Sequence, residues 1–322
     1  MRIATLVALL LTCIIGTSQT NLTSFLNEER RVIDSSHLAR YFSEAILVGD
    51  SGWRETVYFL PQGTIESISY YTDRQLAVKN GEQISYHSNG YLRSIGTFIG
   101  NKKNGIWLTY HYNGQLKDSA VYRNDTIASV KVSWHSNNQQ RDSISVDANG
   151  NGLQMSWFRN GAPASAGRLK NHQKWGKWQY LDNNGKLAAI IQYADDNEVG
   201  KRLYTNANGE LVPTNDKEVG QPAVFEHPKK WSYLTYLKNT LKNPDGYYVK
   251  ENAIAQLTVL FAVTDEGEVV DIEIVNPIHP AYDAEVKKVI QQGGQYWRPA
   301  KQYNRTVPYL MKQSFSFISE EE

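Results

Sequence analysis

Hydrophobic and polar residues alternate along two segments in the C-terminal third of the chain. The first segment has four apolar residues on one face: Leu257, Val259, Phe261 and Val263. The second has three apolar residues on one face and two acidic residues on the other: Val270, Ile272 and Ile274 against Asp271 and Glu273. Because successive side chains of a strand point to opposite faces, these segments predict two antiparallel strands with one buried face. A third strand is predicted at 307–317.

Apolar residues at spacings of three and four predict two short helices. One helical face consists of Trp231, Leu234, Leu237 and Leu241. The second helix can begin at Pro280 and end at Gly293-Gly294. Its apolar stripe consists of Tyr282, Val286, Val289 and Ile290. The pattern therefore predicts an α+β domain in which a three-stranded antiparallel sheet packs on a helix, with Trp297 filling the space between them.

A different pattern repeats through the middle of the chain. An Asn-Gly pair or a related pair ends at six positions that lie 23 or 24 residues apart: Gly90, Gly114, Asn138, Gly161, Gly185 and Gly209. A second marker lies nine residues before each of these: Gly81, Gly105, Ser129, Gly152, Gly176 and Gly200. An aromatic residue lies between the two markers: Tyr86, Tyr110, Trp134, Trp157, Tyr180 and Tyr204. A fixed period of this length indicates a repeat architecture.

Each repeat is predicted to be a β-hairpin. Asn-Gly flanked by aromatic and β-branched residues is a strong hairpin signal, because both residues tolerate positive φ. Tight turns are expected at Asn89-Gly90, Asn113-Gly114, Asn160-Gly161, Asn184-Gly185 and Asn208-Gly209. One hairpin alone is only marginally stable in water, so the hairpins must bury one another's faces and the ends of the array need caps.

These patterns divide the chain into five segments. Residues 1–18 are a signal peptide, 19–80 an N-terminal cap or degenerate repeats, and 81–212 the hairpin repeats. Residues 213–228, with three prolines, read as a linker, and 229–322 form the C-terminal domain. The fold class is a mainly β array of hairpins followed by an α+β domain.

The hairpin array resembles the MORN-type repeats of bacterial secreted proteins. The best copies run from Gly105 to Leu116 and from Gly176 to Leu187. The third copy departs from the pattern, since Ser129 replaces one glycine and an asparagine replaces the other. The resemblance covers residues 81–212.

The order of motifs in the C-terminal domain resembles the TonB carboxy-terminal domain. That order is an apolar strand, a turn with Asp and Gly, a Val/Ile strand, a short helix, W-x-P-A at 297–300 and a last strand. The resemblance implies that a partner's extended peptide pairs with the sheet edge next to the last strand. Carried over by position, the peptide-binding edge comprises Val307, Tyr309, Met311, Gln313 and Phe315, with Asn243 and Pro244 near the peptide. Residues 301–304 are expected to form the loop before this strand.

The N-terminal residues have the pattern of a secretory signal peptide. Arg2 is followed by an apolar run at 4–15, and small residues precede a predicted cut before Gln19. The run of about twelve apolar residues is shorter than the roughly 20 needed to cross a bilayer, and a retained anchor is the alternative. Cys13 is the only cysteine. A mature protein cut at this site would therefore have no disulfide and no cysteine-ligated metal.

Few residues outside these patterns suggest chemistry. The formal net charge of +1 gives no electrostatic reason to expect a nucleic-acid partner. His87, His111 and His135 recur at the repeat spacing, but two strands per repeat place them roughly 10 Å apart, too far to share a zinc ion. A repeated polar surface position is the preferred interpretation. The acidic run at 195–198 is interpreted as a solvated loop.

The 20 tyrosines and 8 tryptophans are expected to fill the hairpin core, with an exposed binding face as the alternative. The chain contains no G-x-S-x-G, H-E-x-x-H or phosphate-loop motif. The sequence therefore predicts neither an enzyme nor a cofactor or metal.

Three hypotheses of function follow. The first is an exported, non-catalytic cell-envelope protein, located in the periplasm, that binds a peptide segment of an envelope or outer-membrane protein. The second is a TonB-type energy transducer for outer-membrane transport with a retained N-terminal anchor. A repeat array stands where such transducers have a long proline-rich spacer. The third is a structural or toxin-neutralising protein that works through its repeats.

Overall fold

The computed structural model describes residues 21–36, 39–50, 52–60, 62–214, 220–244 and 254–318. The predicted signal peptide and Cys13 lie outside these residues. The described chain has two parts, a long antiparallel sheet of hairpins and a C-terminal α+β domain. The predicted fold class is therefore confirmed.

The array is one sheet of 18 strands. It begins with β1 (Leu22–Leu26), β2 (Val32–Ile33), β3 (Tyr41–Val48), β4 (Gly52–Phe59), β5 (Ile65–Tyr71) and β6 (Lys79–Tyr86). It continues with β7 (Leu92–Ile99), β8 (Lys102–Tyr110), β9 (Leu116–Arg123), β10 (Thr126–Trp134), β11 (Gln140–Val146) and β12 (Gly152–Trp157). It ends with β13 (Pro163–Lys170), β14 (Gln173–Leu181), β15 (Leu187–Ala194), β16 (Asn197–Glu198), β17 (Arg202–Thr205) and β18 (Leu211–Thr214).

From β3 to β15 each strand pairs with the next one in the chain. At the N-terminal end β1 pairs with β2 and β3, and at the other end β17 pairs with β15 and β18. Strands β1 to β5 come from residues 19–80 and thus belong to the same sheet as the repeats.

Asn-Gly turns close the hairpins on one long side of the array, where the strand ends meet, and we call this side the Asn-Gly edge. All five predicted turns are present. At the first, the His87 N–H donates to the Tyr91 carbonyl (2.8 Å) and the Gly90 N–H donates to the His87 carbonyl (2.9 Å). Gly90 has a φ of 86°, whereas Asn89 is not left-handed. The turn therefore has three residues, 88–90, and only its glycine has a positive φ. In the third copy Asn138 takes the place of glycine with a φ of 67°.

Two-residue turns with both residues at positive φ lie at the opposite edge. They are Gly100-Asn101, Asn124-Asp125, Asn171-His172 and Asp195-Asp196. At three of them the second residue accepts a hydrogen bond from a backbone N–H of the preceding repeat: Asn101 from Lys79, Asp125 from Lys103 and Asp196 from Lys174. Residues 195–198 are all exposed, as expected for a solvated loop. The acidic residues form a tight turn and the short strand β16, and they join neighbouring hairpins.

Two tryptophans pack on glycines of the neighbouring strand, on what we call the inner face of the array. Trp178 is buried on Gly167, where an added Cβ would come within 2.2 Å of the indole ring. Its indole N–H donates to the Arg168 carbonyl (3.1 Å). Trp107 packs on Gly96 in the same way. The expected core role of the aromatic residues is confirmed at these positions.

The C-terminal domain has one compact core. Its sheet places β20 (Ile254–Val263) between β21 (Val269–Asn276) and β25 (Tyr309–Ile318). Helix α1 (Tyr233–Thr240) precedes the sheet, and α2 (Pro280–Gln292) continues into a 3-10 turn, Gly293–Tyr296. The predicted faces of β20 and α2 meet in this core together with Trp297. The short strands are β19 (Val224–Phe225), β22 (Trp297–Arg298), β23 (Ala300–Gln302) and β24 (Arg305–Val307).

The second predicted strand differs in register at one end. Val269, and not Val270, lies in the core. The pairing with β20 shifts between Leu260 and Ala262, and Asp271 has a φ of 57°. At this β-bulge two residues of β21 lie opposite one residue of β20. The extra residue shifts the alternation, so the side chains after it lie on the other face from the one that the side chains before it would predict.

Helix α1 also presents a different face from the one predicted. Ser232 caps it, and Leu237 is buried as expected. Leu234 is 66 % exposed, so its assignment to the buried face is wrong. Tyr236 lies in the core instead, and its hydroxyl donates to the Val289 carbonyl (3.1 Å).

Part of the predicted linker pairs with the C-terminal domain. Strand β19 pairs with β22, which places Phe225 opposite Trp297. The two rings are 5.3 Å apart. Gln221 forms an isolated β-bridge with Lys301. Residues 221–225 are thus part of the C-terminal domain.

Candidate functional site

The last strand, β25, lies at an edge of the C-terminal sheet. Among the described residues it pairs with β20 alone, in an unbroken register from Ile254 opposite Ile318 to Val263 opposite Tyr309. Its far side therefore presents a row of backbone N–H and C=O groups that an added strand could pair with.

The structure brings four of the predicted site residues together on one face of β25. They are Tyr309, Met311, Gln313 and Phe315. Phe315 is buried in the core, and Met311 packs against it. These side chains support the sheet, so an added strand would meet mainly their backbone. On the opposite face Leu310 is 69 % exposed.

The other three predicted site residues lie outside β25. Val307 ends β24, and Pro308 separates it from β25. Asn243 and Pro244 follow α1. Within the described chain no hydrogen bond joins either of these two residues to the last strand.

The opposite edge of the sheet, β21, contacts the Asn-Gly edge of the array. The Ser88 hydroxyl donates to the Ile274 carbonyl (3.0 Å). Next to it, the Lys287 ammonium of α2 donates to the Tyr112 hydroxyl (3.2 Å) and lies over the Tyr112 ring. Within the described residues, the array thus contacts the β21 edge and leaves the β25 edge unpaired.

His87 is the centre of this contact. Its Nε2 lies 2.9 Å from the Tyr110 carbonyl, and its Nδ1 lies 2.9 Å from a Glu273 carboxylate oxygen. A carbonyl oxygen and a carboxylate oxygen thus flank the two ring nitrogens of His87. Burial acts to raise the pKa of Glu273, but the hydrogen bond and charge of His87, with Lys117 and Arg93, hold it below its usual value. The contact between His87 and Glu273 joins the two parts of the protein.

The three repeated histidines form a ladder along the Asn-Gly edge. The Nε2 atoms of His111 and His135 face the carbonyls of Trp134 and Trp157 in the next repeat (2.8 and 3.0 Å), as His87 faces Tyr110. Burial lowers the pKa of both His111 and His135. His87 and His111 are buried, so the expectation of a repeated surface position is wrong. The imidazoles bridge consecutive hairpins.

A hairpin formed by β23 and β24 makes a second contact with the array. The predicted loop at 301–304 is wrong, because Lys301 and Gln302 pair with β24 and only Tyr303-Asn304 form the turn. The Arg305 guanidinium donates to the Ala164 and Leu181 carbonyls. This hairpin leads directly into β25, so the array holds the start of the candidate edge.

Tyrosines connect this hairpin to the inner face of the array. The Tyr303 hydroxyl donates to Glu198 (2.7 Å), which leaves its oxygen to accept from Tyr193 (2.9 Å). Tyr193 in turn accepts from Tyr180 (2.9 Å). Burial, followed by these hydrogen bonds, raises the pKa of Tyr303 and Tyr180. The chain of hydroxyls is therefore a neutral donor network that ends on one carboxylate.

Sequence reasoning missed all of these contacts between the two parts. The repeat spacing marked His87, yet its partner Glu273 lies 186 residues away. Arg305 lies 141 residues from Ala164. No periodic signal links positions so far apart, and only the placement of the domain against the array reveals them.

Residues 103–124 match the family model described as "MORN repeat variant". No curated protein matches the chain. In the described part of the chain no helix is both long and apolar enough to cross a bilayer. The family match and the continuous array of hairpins together support a MORN-type repeat protein.

Proposed function

We propose that the protein is an exported, non-catalytic cell-envelope protein whose C-terminal domain binds an extended peptide along β25. One observation carries this proposal: β25 has a ten-residue edge that is paired on one side, whereas the array occupies the opposite edge of the same sheet. Peptide addition to a sheet edge is an established recognition mode, in which backbone hydrogen bonds supply affinity.

The sequence supplies two further supports. The motif order of the domain resembles the TonB carboxy-terminal domain, whose members bind partner peptides in the bacterial envelope. The signal-peptide pattern at 1–18 favours export to the periplasm. The proposed partner is therefore a segment of an envelope or outer-membrane protein.

The array has a defined part in this function. It fixes the domain at the β21 edge and at the β23–β24 hairpin through His87 and Arg305. A rigidly held edge loses less conformational freedom on binding than a mobile one. The repeats thus orient the edge towards the partner.

Adjacent proline substitutions test the proposal. Successive N–H groups of a strand point to opposite sides, so of Lys312→Pro and Gln313→Pro one removes an N–H that faces β20 and the other removes one that faces the open side. The variant that loses the N–H facing β20 should unfold the domain. The variant that loses the N–H on the open side should keep the fold and lose binding to a partner peptide. That peptide is first captured from envelope extract with the unmodified protein, then synthesised, and its binding is measured by calorimetry.

Lys312→Ala is the matched control, because it keeps the backbone N–H, and it should bind as the unmodified protein does. Full-strength binding by the proline variant that keeps the fold would refute pairing along β25. The export part is tested separately by mass spectrometry of the mature protein, which should begin at Gln19. An intact Met1 in an inner-membrane fraction would contradict it.

A further inference from the structure

One row of exposed residues crosses the outer face of the array, which is the face opposite Trp107 and Trp178. The row has one residue from each of the first five repeats: Glu82, Ile106, Val130, Leu153 and Lys177. All five lie in strands, whereas Lys201, the equivalent residue of the sixth repeat, lies just before β17. All five are exposed, and the three apolar ones are 64 %, 42 % and 56 % exposed in that order. We call these five residues the outer row.

Strand register places the row on a common face. Val130 is opposite Ser145, and Ser145 is opposite Leu153. Directly opposite residues of antiparallel strands lie on the same face of the sheet. Trp107, one residue after Ile106, is buried on the inner face, and Trp178 has the same relation to Lys177. Their neighbours in the row therefore face outward.

The C-terminal domain does not account for this row. Its contacts involve the Asn-Gly edge, through Ser88 and Tyr112, and the inner face, through Tyr180. The outer row takes part in none of the hydrogen bonds or ring contacts described above. Three exposed apolar residues that share one face, with a charged residue at each end of their row, have the composition of an interaction site.

The charges of the row indicate what covers it. It is acidic at one end, at Glu82, apolar through its three central residues, and basic at the other end, at Lys177. Its steps are 24, 24, 23 and 24 residues. The spacing of the row is thus nearly symmetric about Val130. When a second copy of the row is reversed about Val130, its Lys177 lies opposite Glu82 of the first copy.

We propose that the outer face is an interface between two copies of this chain, packed face to face in antiparallel orientation. The two-fold axis lies between the two sheets, parallel to β10, and passes midway between the two copies of Val130. Glu82 then meets the partner's Lys177, and Ile106 meets the partner's Leu153. Such a two-fold interface must be self-complementary, and the reversed row meets this condition.

The dimensions suit this arrangement. The row spans β6 to β14, eight strand spacings or about 38 Å, and facing sheets pack about 10 Å apart. A parallel arrangement of the same faces would set Glu82 on Glu82 and Lys177 on Lys177. Like charges directly opposed are destabilising, so the antiparallel orientation is favoured.

Sedimentation velocity of the full chain over a range of concentrations tests the proposal. The unmodified protein should form a dimer. Val130→Lys places two ammonium groups together at the axis and should raise the dimer dissociation constant at least about tenfold. Val48→Lys, at a 41 % exposed position in β3 outside the row, is the control and should dimerise normally.

Charge exchange tests the orientation without altering the apolar centre. Glu82→Lys and Lys177→Glu should each weaken dimerisation, because each sets like charges opposite each other. An equimolar mixture of the two variants should recover it, since every facing pair between one variant and the other again joins a lysine to a glutamate. A monomer at all concentrations, a dimer that tolerates Val130→Lys, or a mixture that fails to recover would each overturn the proposal.

Discussion

The array and the C-terminal domain use the same antiparallel pairing but are stabilised by different means. The domain concentrates its apolar side chains in one core around Phe261 and Val259, both fully buried. The array distributes its buried residues among smaller clusters, such as those around Trp178 and around Val57. Between the clusters, side chains such as His111 and Asn113 bond to the backbone of the next repeat. Its stability is therefore spread over neighbour contacts, as in other repeat proteins.

This difference explains why the two parts need each other in different ways. The domain has enough core to hold a three-stranded sheet, but a sheet of that size exposes two edges. The array covers one of them at Ile274. The array in turn gains a cover for part of its inner face from Tyr303, whose ring lies 4.4 Å from Tyr180. Among the described residues, the open side of β25 and the outer row both lie outside this contact.

The largest effect should come from a cavity in the concentrated core. Phe261→Ala removes a fully buried ring and should lower the free energy of unfolding of the domain by about 3–5 kcal/mol. Hydrogen exchange should show the loss in β20 and α2, with the array largely protected. Leu310→Ala, at an exposed position of the same sheet, is the control. Equal loss of protection throughout the array would contradict the contrast between the two parts.

Overpacking of one array contact should have a smaller and local effect. Gly167→Ala places a Cβ within 2.2 Å of the Trp178 ring and should destabilise the array by about 1–3 kcal/mol. Gly167 is not left-handed, so the cost is steric. In a Trp178→Leu background Gly167→Ala should cost less in thermal unfolding, because the ring that the added methyl group meets is absent. An equal cost in both backgrounds would exclude this steric cause.

The Asn-Gly turns offer a test of backbone strain within the array. Gly114 has a φ of 83°, so Gly114→Val should cost about 1–3 kcal/mol. Asn138 has a similar φ with a side chain already present, and Asn138→Gly should therefore change stability by only a few tenths of a kcal/mol. Chemical denaturation of both variants measures the difference. Similar losses at the two positions would show that strain at positive φ is not the cause.

The smallest effect should be a pH dependence that separates the array from its contact with the domain. Burial lowers the pKa of His111 and His135. The unfolded chain therefore binds more protons there, and the free energy of unfolding should fall as the pH drops through about 6.5. The pKa of Glu273 is also lowered, so its stabilisation is present above its unfolded value, about 4.3, and is lost as the pH falls through its folded value.

The last repeat has an asparagine, Asn206, at the position equivalent to these histidines. Replacing both His111 and His135 with asparagine should therefore remove the loss of stability near pH 6.5, measured by thermal unfolding at a series of pH values. Glu273→Gln should change only the loss of stability below about pH 4.3. A loss near pH 6.5 that survives the double histidine replacement would show that other groups cause it.

Much of the fold could be predicted because its signals are local. The 24-residue period located the hairpins, and the alternation at 257–263 located the central strand of the domain. The failures have a common cause in local geometry that the period does not report. The bulge at Asp271 put Val269 in the core in place of Val270.

The candidate edge, β25, was predicted from the order of motifs. Some of the side chains predicted to bind the peptide belong instead to the core of the domain. Phe315 and Met311 support the core, while Leu310, which the prediction omitted, is the exposed residue. Alternation assigns residues to faces but not to edges, so it could not identify which edge of the sheet is open.

The amino-acid sequence by itself determined the repeat, the strands and the core of the domain, because turn residues and side-chain periodicity act over a few neighbouring positions. Only the tertiary structure decided which surfaces remain uncovered. His87 and Glu273, or Arg305 and Leu181, meet because two finished parts dock. Contacts of that kind depend on the three-dimensional placement of distant segments, and no short-range pattern of residues encodes it.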